Sequence, residues 1–402
     1  MVRGYIPVPR PADLVYAPID VAVAEAEGLA RKGHQIDFFG PLGTRFHDSR
    51  INVHTMNLRP LVHNNAETNT LFGNKALMTH HVPNLWDQYF ARDMLARASR
   101  GSYDVVHIHH PETTLAAARD HREVPIVYTL HDPIYPWYKE LFELYATRNQ
   151  HFISISNNQR RDAPDLPYLA NVYDGTDTHR FTLSETSEDY LLYVGRIIPE
   201  KGIKECVQIA RETGNRLLII GPTYPESQDY FDQYVKPFLN DKILYLGFIE
   251  HSHLSKYFQK AKAFLMPSQW EEPFGITTIE AMSCGTPTIA LRRGALPEII
   301  KHGKTGYVVK SIGEMIKAVN RIDKIDRRDC REHVQQYFSN EKMVDAYEEA
   351  FLKLTHPTAK LIRRTKYVGE QLKKVPQKLR KSRTQIEEKG KAKSKQIFMK
   401  LK

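Results

Sequence analysis

The chain has 402 residues, of which 41% are apolar, 26% charged and 10% aromatic, and a formal net charge of +10. That length allows two or three ordinary domains with sizeable cores, and no apolar run approaches the roughly 18–20 residues that a membrane span needs. Three widely spaced cysteines, Cys206, Cys284 and Cys330, argue against a disulfide framework and a Cys-rich zinc site and for a reducing compartment.

The first residues, MVRGYIPVPRPAD, contain no apolar core and do not read as a secretory signal, so a cytoplasmic protein is expected. The charge is unevenly placed. Residues 356–402 hold 16 Lys/Arg and 3 Asp/Glu, and the preceding 355 residues hold 41 and 44. A nearly neutral body with a basic tail reads as a catalytic body with an anchoring extension rather than as a nucleic-acid binder.

In chain order, helical periodicity is expected over 19–32, 85–98 and 137–147, and strands at DVVHIHH, PIVYTLHD, HFISIS and YLANVYD. The stretch DGTDTHRFTLSETSEDY (174–190) is polar and without period, so a domain junction is placed there. YLLYVGRI, RLLIIGP, ILYLGFI, AFLMPS, TPTIAL and GYVV then read as strands, with helices over 203–213 and 254–261 between them and a closing helix over 340–354. Strands alternating with helices predict parallel sheets joined by right-handed crossovers. The expected architecture is α/β with two facing, Rossmann-like, doubly wound domains, 1–180 and 181–339. A closing helix over 340–355, packed back on the first domain, and a tail over 356–402 complete it. Such a pair binds ligands in the cleft at the carboxyl ends of its strands.

YVGRIIPEKG places Arg196 at the carboxyl edge of a strand and Lys201 just before Gly202. An Arg fork and a Lys point charge together suit a diphosphate, although two solvated loop cations would read the same in isolation. EEPFGITTIEAMSCGTP supplies Glu272 and Glu280 around a helix start at Gly275. Glycine there lets backbone N–H groups approach a phosphate, and the helix dipole favours its charge. A carboxylate one turn on, Glu280, can accept from a ribose diol, and Glu272 would face what the diphosphate carries. A solvated helix face explains one such Glu; two flanking a glycine helix start after a strand form a more specific pattern. RRGALPEII, with Gly294 and Glu298, is explained by a turn and a helix cap.

The histidines His107, His109 and His110, and the pair His80–His81, show no carboxylate at metal-like spacing, so hydrogen-bonded histidines at a strand end are expected and no metal site. His131 in TLHD reads alike until its place in the motif order is considered.

The order GRIIPEKG, then EEPFGITTIEAMSCGTPTIA, then RGALPEIIKHGKTGYVV resembles the donor domain of family 4 glycosyltransferases of GT-B fold, which carry Glu-x7-Glu with Phe-Gly after the first acid. IPVPRPADLVYAPIDVAVAEAEGLARKGH resembles the family's opening loop and first helix, DVVHIHH and TLHD its paired strands, and VYDGTDTHRF its junction. The resemblance covers about residues 1–355. It implies a retaining transfer of a hexose-type sugar from a nucleotide-diphosphate sugar to a hydroxyl acceptor that is lipid-linked, a polysaccharide or a small molecule. It also implies no cofactor and no required metal, and the chain has no Asp-x-Asp.

By position the resemblance puts Arg196 and Lys201 on the diphosphate and Glu280 on the ribose. It puts Glu272 and His131 at the reacting sugar, and backbone groups of Phe274, Gly275, Ile276 and Thr277 on sugar or phosphate. Phe248 falls where the family places the base, a position that packing explains equally. Two departures stand out: Ala17-Pro18 replaces the family's first glycine pair, and Gly294-Ala295 its second. A sugar phosphorylase or nucleotide-sugar epimerase of the same fold, or a non-catalytic sugar-nucleotide-binding module, is the alternative. In the tail, apolar residues from Leu361 to Ile386 at helical steps among Lys and Arg read either as a basic amphipathic segment on an anionic membrane surface or as a solvated tail. Nucleic acid is disfavoured by the lack of interleaved aromatics.

Overall fold

In the second half of the chain, apolar runs of three to five residues alternate with helices. The strands are β7 (Tyr190–Val194), β8 (Arg216–Ile220), β9 (Ile243–Tyr245), β10 (Ala263–Met266), β11 (Thr288–Leu291) and β12 (Gly306–Val309). They form one parallel sheet in the order β12-β11-β10-β7-β8-β9. Its central strands are buried along their whole length, as a sheet covered by helices on both faces requires. The covering helix Ile203–Thr213 shows why these segments fold so. It runs between Gly202 and Gly214 and turns Ile203, Cys206, Val207, Ile209 and Ala210 inward. Each large apolar side chain buried this way stabilises by about 1.5–3 kcal/mol.

Strand order reverses between β7 and β10. Sequential strands run outward from β7 through β8 to β9, and the next strand, β10, returns to β7's other side. At such a reversal the loops leaving two neighbouring strands diverge and leave a crevice at their carboxyl ends. The loops leaving β7 and β10 carry Arg196 and Glu272.

The computed structural model describes residues 1–64, 67, 71, 78 and 81–355. His80 and the 356–402 tail, with the membrane-surface reading placed on it, lie outside the described residues. Residues Met1–Ala350 form one compact unit and Phe351–Lys402 a second. The expected boundary at 180 therefore separates two sheets within one unit.

The first half departs from a single expected sheet. β3 (Val106–Ile108), β4 (Ile126–Leu130), β5 (Gln150–Ser154) and β6 (Tyr168–Asn171) form a parallel sheet in sequence order. Two strands not read from the sequence, β1 (Ile36–Phe39) and β2 (Ile51–His54), pair only with each other among the described residues. Four residues with alternating polar positions give too short an apolar signal. Beside β3 the chain start takes the place of a strand: the Met1 amine donates to the His107 carbonyl (2.8 Å) and His109 N–H to the Met1 carbonyl (3.0 Å).

Helix α1 (Ala17–Arg31) opens on the Ala17-Pro18 departure, with proline in the first turn where its missing N–H costs nothing. A later helix, Asn340–Thr355, lies against α1 over residues 340–350. A Cβ at Gly28 would lie 2.4 Å from Val344 Cγ2, and Lys32 Nζ reaches Asp345 (2.7 Å) and Glu348 (2.9 Å). The two halves are also tied directly. Glu298, read from the sequence as a helix-start acid, accepts from the N–H groups of Asn157 (2.9 Å) and Asn158 (2.6 Å) and from Tyr173 Oη (2.9 Å). Ser156 Oγ donates to the Pro273 carbonyl (2.8 Å). Among the described residues no helix is long and apolar enough to cross a membrane.

Candidate functional site

Two adjoining cavities open in the cleft, of about 720 and 530 Å³. Both are lined by Tyr16 and Ala17 from the first half and by Gly195, Arg196, Ile276 and Thr277 from the second. The larger is also lined by Phe248, His251 and Glu280, and the smaller by His131, Lys201, Trp270, Glu272, Phe274 and Gly275. Arg196 is exposed and stands where the two lobes meet. The donor-site residues expected from the sequence, Arg196, Lys201, Phe248, Glu272, Gly275 and Glu280, and His131 thus line these two cavities.

The helix Ile276–Ser283 starts at this junction. Its N-cap is Gly275 with φ 111°, a conformation that L side chains rarely adopt. Thr278 N–H donates to the Gly275 carbonyl (2.9 Å), and Ile276 and Thr277 ahead of it line both cavities with Arg196. Phe274 turns its ring away into the interior, 6.0 Å from Tyr173 and 6.1 Å from Phe338 between ring centroids.

Glu280 and Glu272 differ in their partners. Glu280 is 2% exposed, and its Oε1 lies 2.5 Å from His251 Nε2. Burial alone would lower the His251 pKa; the Glu280 carboxylate outweighs it, and the net shift is upward. Glu272 is 6% exposed and has a ring of donors: Lys201 Nζ at 2.9 and 2.8 Å, Trp270 Nε1 at 2.9 Å and Ser268 Oγ at 3.2 Å. Lys201 also sits 4.7 Å from the Trp270 ring centroid. The sequence reading expects Lys201 on a diphosphate and Glu272 on a sugar; in the structure the two side chains also pair with each other.

Glu272 is fixed from behind by the RRGALPE loop. Gly294 (φ 52°) packs so closely that a Cβ would lie 2.0 Å from the Glu272 carbonyl oxygen, and Ala295 N–H donates to that oxygen at 2.8 Å. This turn, read as a helix cap, positions Glu272.

Across the cleft, His131 Nε2 lies 2.9 Å from His109 Nδ1. The expectation that the histidines lack a carboxylate is corrected: Glu25 on α1 lies between two of them, its Oε1 2.7 Å from His107 Nδ1 and its Oε2 3.2 Å from His109 Nε2. Ligating atoms of Glu25, His107 and His109 lie within 4.8 Å of one another. The 2.7 Å contact is a hydrogen bond, and the 3.2 Å one is an ion-pair contact without hydrogen-bond alignment. Sequence spacing could not reveal them, because Glu25 arrives from a helix 82 residues earlier. Tyr16 Oη meets His110 Nε2 at the cleft wall. Asp174, 3% exposed in the junction segment, also lines the smaller lobe, and burial pushes its carboxyl up to about 7.

Reading the sequence missed Glu25, His251, Trp270 and Asp174. Trp270 was legible in principle, two residues from Glu272 in the same loop; His251 stands in a short turn, EHSH, with no periodic signal.

Comparison with known proteins bears on the family and the fold. The family described as Glycosyltransferase Family 4 matches residues 21–180, and that described as Glycosyl transferases group 1 matches residues 175–342. The chain is 24% identical over 362 residues to N-acetyl-alpha-D-glucosaminyl L-malate synthase of Bacillus anthracis, an alignment covering 80% of this chain and 90% of that one. Among solved structures it resembles sucrose-phosphate synthase from Thermosynechococcus elongatus, with TM-score 0.64, 19% identity and coverage of 87% and 94%. It also resembles Anabaena Alr3699/HepE in complex with UDP and glucose, with TM-score 0.59, 17% identity and coverage of 80% and 100%. The chain belongs to the family 4-like glycosyltransferases and has their GT-B fold.

Proposed function

We propose that this glycosyltransferase moves a hexose-type sugar from a nucleotide-diphosphate sugar to a hydroxyl acceptor, with retention and without a metal. The observation that carries the reading is the two-lobed cleft with Arg196 at its waist, Glu280 in one lobe and Glu272 in the other. A nucleotide sugar has the same plan: nucleoside, diphosphate, sugar. Glu280 holds the ribose, with Phe248 beside the base. Arg196 and the Ile276 and Thr277 N–H groups at the start of the Ile276–Ser283 helix stabilise the leaving diphosphate, fixed positive potential that needs no reorganisation during reaction. The same groups supply the charge that a divalent cation would otherwise bring.

Glu272 and Lys201 form the floor of the sugar lobe together with Trp270, and His131 faces the reacting sugar from the acceptor side. Two relatives support a hexose-type donor through their names alone: one is an N-acetyl-alpha-D-glucosaminyl L-malate synthase, and one structure holds UDP and glucose. The tail over 356–402 is proposed to bring the enzyme to an anionic membrane surface on the cytoplasmic side, each cation near the surface contributing about 1 kcal/mol.

A thermal-shift screen of nucleoside diphosphates and their sugars tests the reading. A donor raises the melting temperature with concentration, because it binds the folded state alone. One nucleotide series stabilising the wild type and not Arg196→Ala is the expected result. No shift with any nucleoside diphosphate would overturn it.

A further inference from the structure

A buried carboxylate reaches the cleft through one histidine. Glu25 is 4% exposed, and a carboxylate can only accept hydrogen bonds. Glu25 Oε2 makes no aligned hydrogen bond, and His109 Nε2 lies 3.2 Å from it; a ring lone pair there would face the carboxylate, so Nε2 carries the proton. Burial first, then the neighbouring His107, holds the His109 pKa down at about 4, so at neutral pH the ring bears that one proton and its Nδ1 is an acceptor. His131 Nε2, 2.9 Å from that Nδ1, must then be the donor. Burial and the imidazoles of His109 and His107 keep His131 itself well below the usual range, so it too is neutral. Its proton is on Nε2 and its Nδ1 keeps a lone pair.

On the other side of Glu25 a second arm fixes the carboxylate. His107 Nδ1 lies 2.7 Å from Oε1, His107 Nε2 lies 2.8 Å from Thr129 Oγ1, and Thr129 Oγ1 lies 3.1 Å from Tyr347 Oη. With Tyr347 donating to Thr129, Thr129 to His107 and His107 to Glu25, every proton in the network points toward the one carboxylate.

We propose that Glu25, acting through His109, is a positioning residue that holds His131 as the Nε2-protonated tautomer and so leaves Nδ1 as a hydrogen-bond acceptor for a sugar hydroxyl. Its use in sugar transfer rests on the reading of the cleft given above; the tautomer itself does not. A partner that fixes the tautomer and ring orientation of a functional histidine matters because the wrong tautomer presents a donor where an acceptor is needed.

The test uses the full chain labelled with ¹⁵N-histidine, with His131 signals assigned by their loss in His131→Gln. Expected are an unprotonated Nδ1 and a protonated Nε2 on His131. In Glu25→Gln the amide offers one acceptor and one donor, so the Nε2-protonated fraction falls; His109→Gln serves as a second variant should the first not fold. In turnover, kcat falls on the order of 10–100-fold, as for the outer partner of a metal-bound histidine, with donor KM and nucleoside-diphosphate affinity unchanged. Protonation of His131 at Nδ1 in the wild type overturns the proposal, as does an unchanged tautomer in both variants. The spectrum decides this even for a chain that binds no nucleotide, which would count against the glycosyl-transfer reading alone.

Discussion

Lys201 Nζ lies 2.9 and 2.8 Å from the two carboxylate oxygens of Glu272, joining the loop after β7 to the loop after β10. The side chains are 16% and 7% exposed, so each charge depends on the other. Removing one partner strands a buried charge at a cost of about 3–5 kcal/mol, whereas removing both strands none. Lys201→Met and Glu272→Leu should each destabilise by that order, and the double variant by clearly less than the sum. Denaturant unfolding of the four proteins checks this; additive losses would show that the pair is not coupled.

The Gly294 turn predicts a paired glycine experiment. Gly294→Ala forces a methyl group against the Glu272 backbone at 2.0 Å, and so should lose both stability and donor turnover. Gly303 has a similar positive φ of 77° but nothing within 4 Å of its would-be Cβ, so Gly303→Ala should show backbone strain alone, about 1–2 kcal/mol, with turnover retained. Equal turnover in the two variants would remove Gly294 from the positioning of Glu272.

His251 and Glu280 give a pH dependence. The folded His251 pKa is raised: burial opposes the charge, the Glu280 carboxylate prevails, Asp20 adds to it and Arg180 subtracts. A raised folded pKa makes the imidazolium contribution complete below the unfolded value of about 6.5 and lost as pH rises through the higher folded value. The stability difference between wild type and His251→Gln should be greatest in the acid range and shrink toward alkaline pH. Unfolding measured from pH 5.5 to 9 checks it; a difference that grows with pH would contradict the pairing.

Asp174 acts in the same sense with the charges exchanged. Burial raises its carboxyl to about 7, so the protonated side chain suits the fold and the ionised one does not. Its contribution is complete below the unfolded value of about 3.9 and lost as pH rises toward 7. Asp174→Asn should gain on the wild type across that interval, and parallel unfolding profiles would contradict the assignment.

The apolar runs of the second sheet could be read because each is continuous and bounded by Gly or Pro: YLLYV and AFLM have no other stable place than a buried parallel strand. IDFF and INVH could not, since four residues with alternating polar side chains carry little signal, and the first half therefore holds a separate strand pair where one sheet was expected. In the cleft, Arg196, Glu272 and Glu280 were legible because their loops follow strands at the reversal of strand order, where topology dictates a crevice. Their partners were not. Lys201 finds Glu272 from 71 residues away, and Glu25 finds His107 from 82, and nothing in local periodicity encodes which side chains meet across a fold.

In the proposed function Arg196, at the waist of the cleft, holds the diphosphate of a nucleotide-sugar donor during transfer. The direct measurement is release of nucleoside diphosphate from the nucleotide sugar that stabilises the protein, followed with the new glycoside in wild type and Arg196→Ala. Coupled release and glycoside formation are expected in the wild type, unchanged by EDTA, with a loss on the order of 100-fold in the variant, the range for removing one donor to a developing anion. Equal release from both proteins, or release that requires inorganic phosphate, would contradict it.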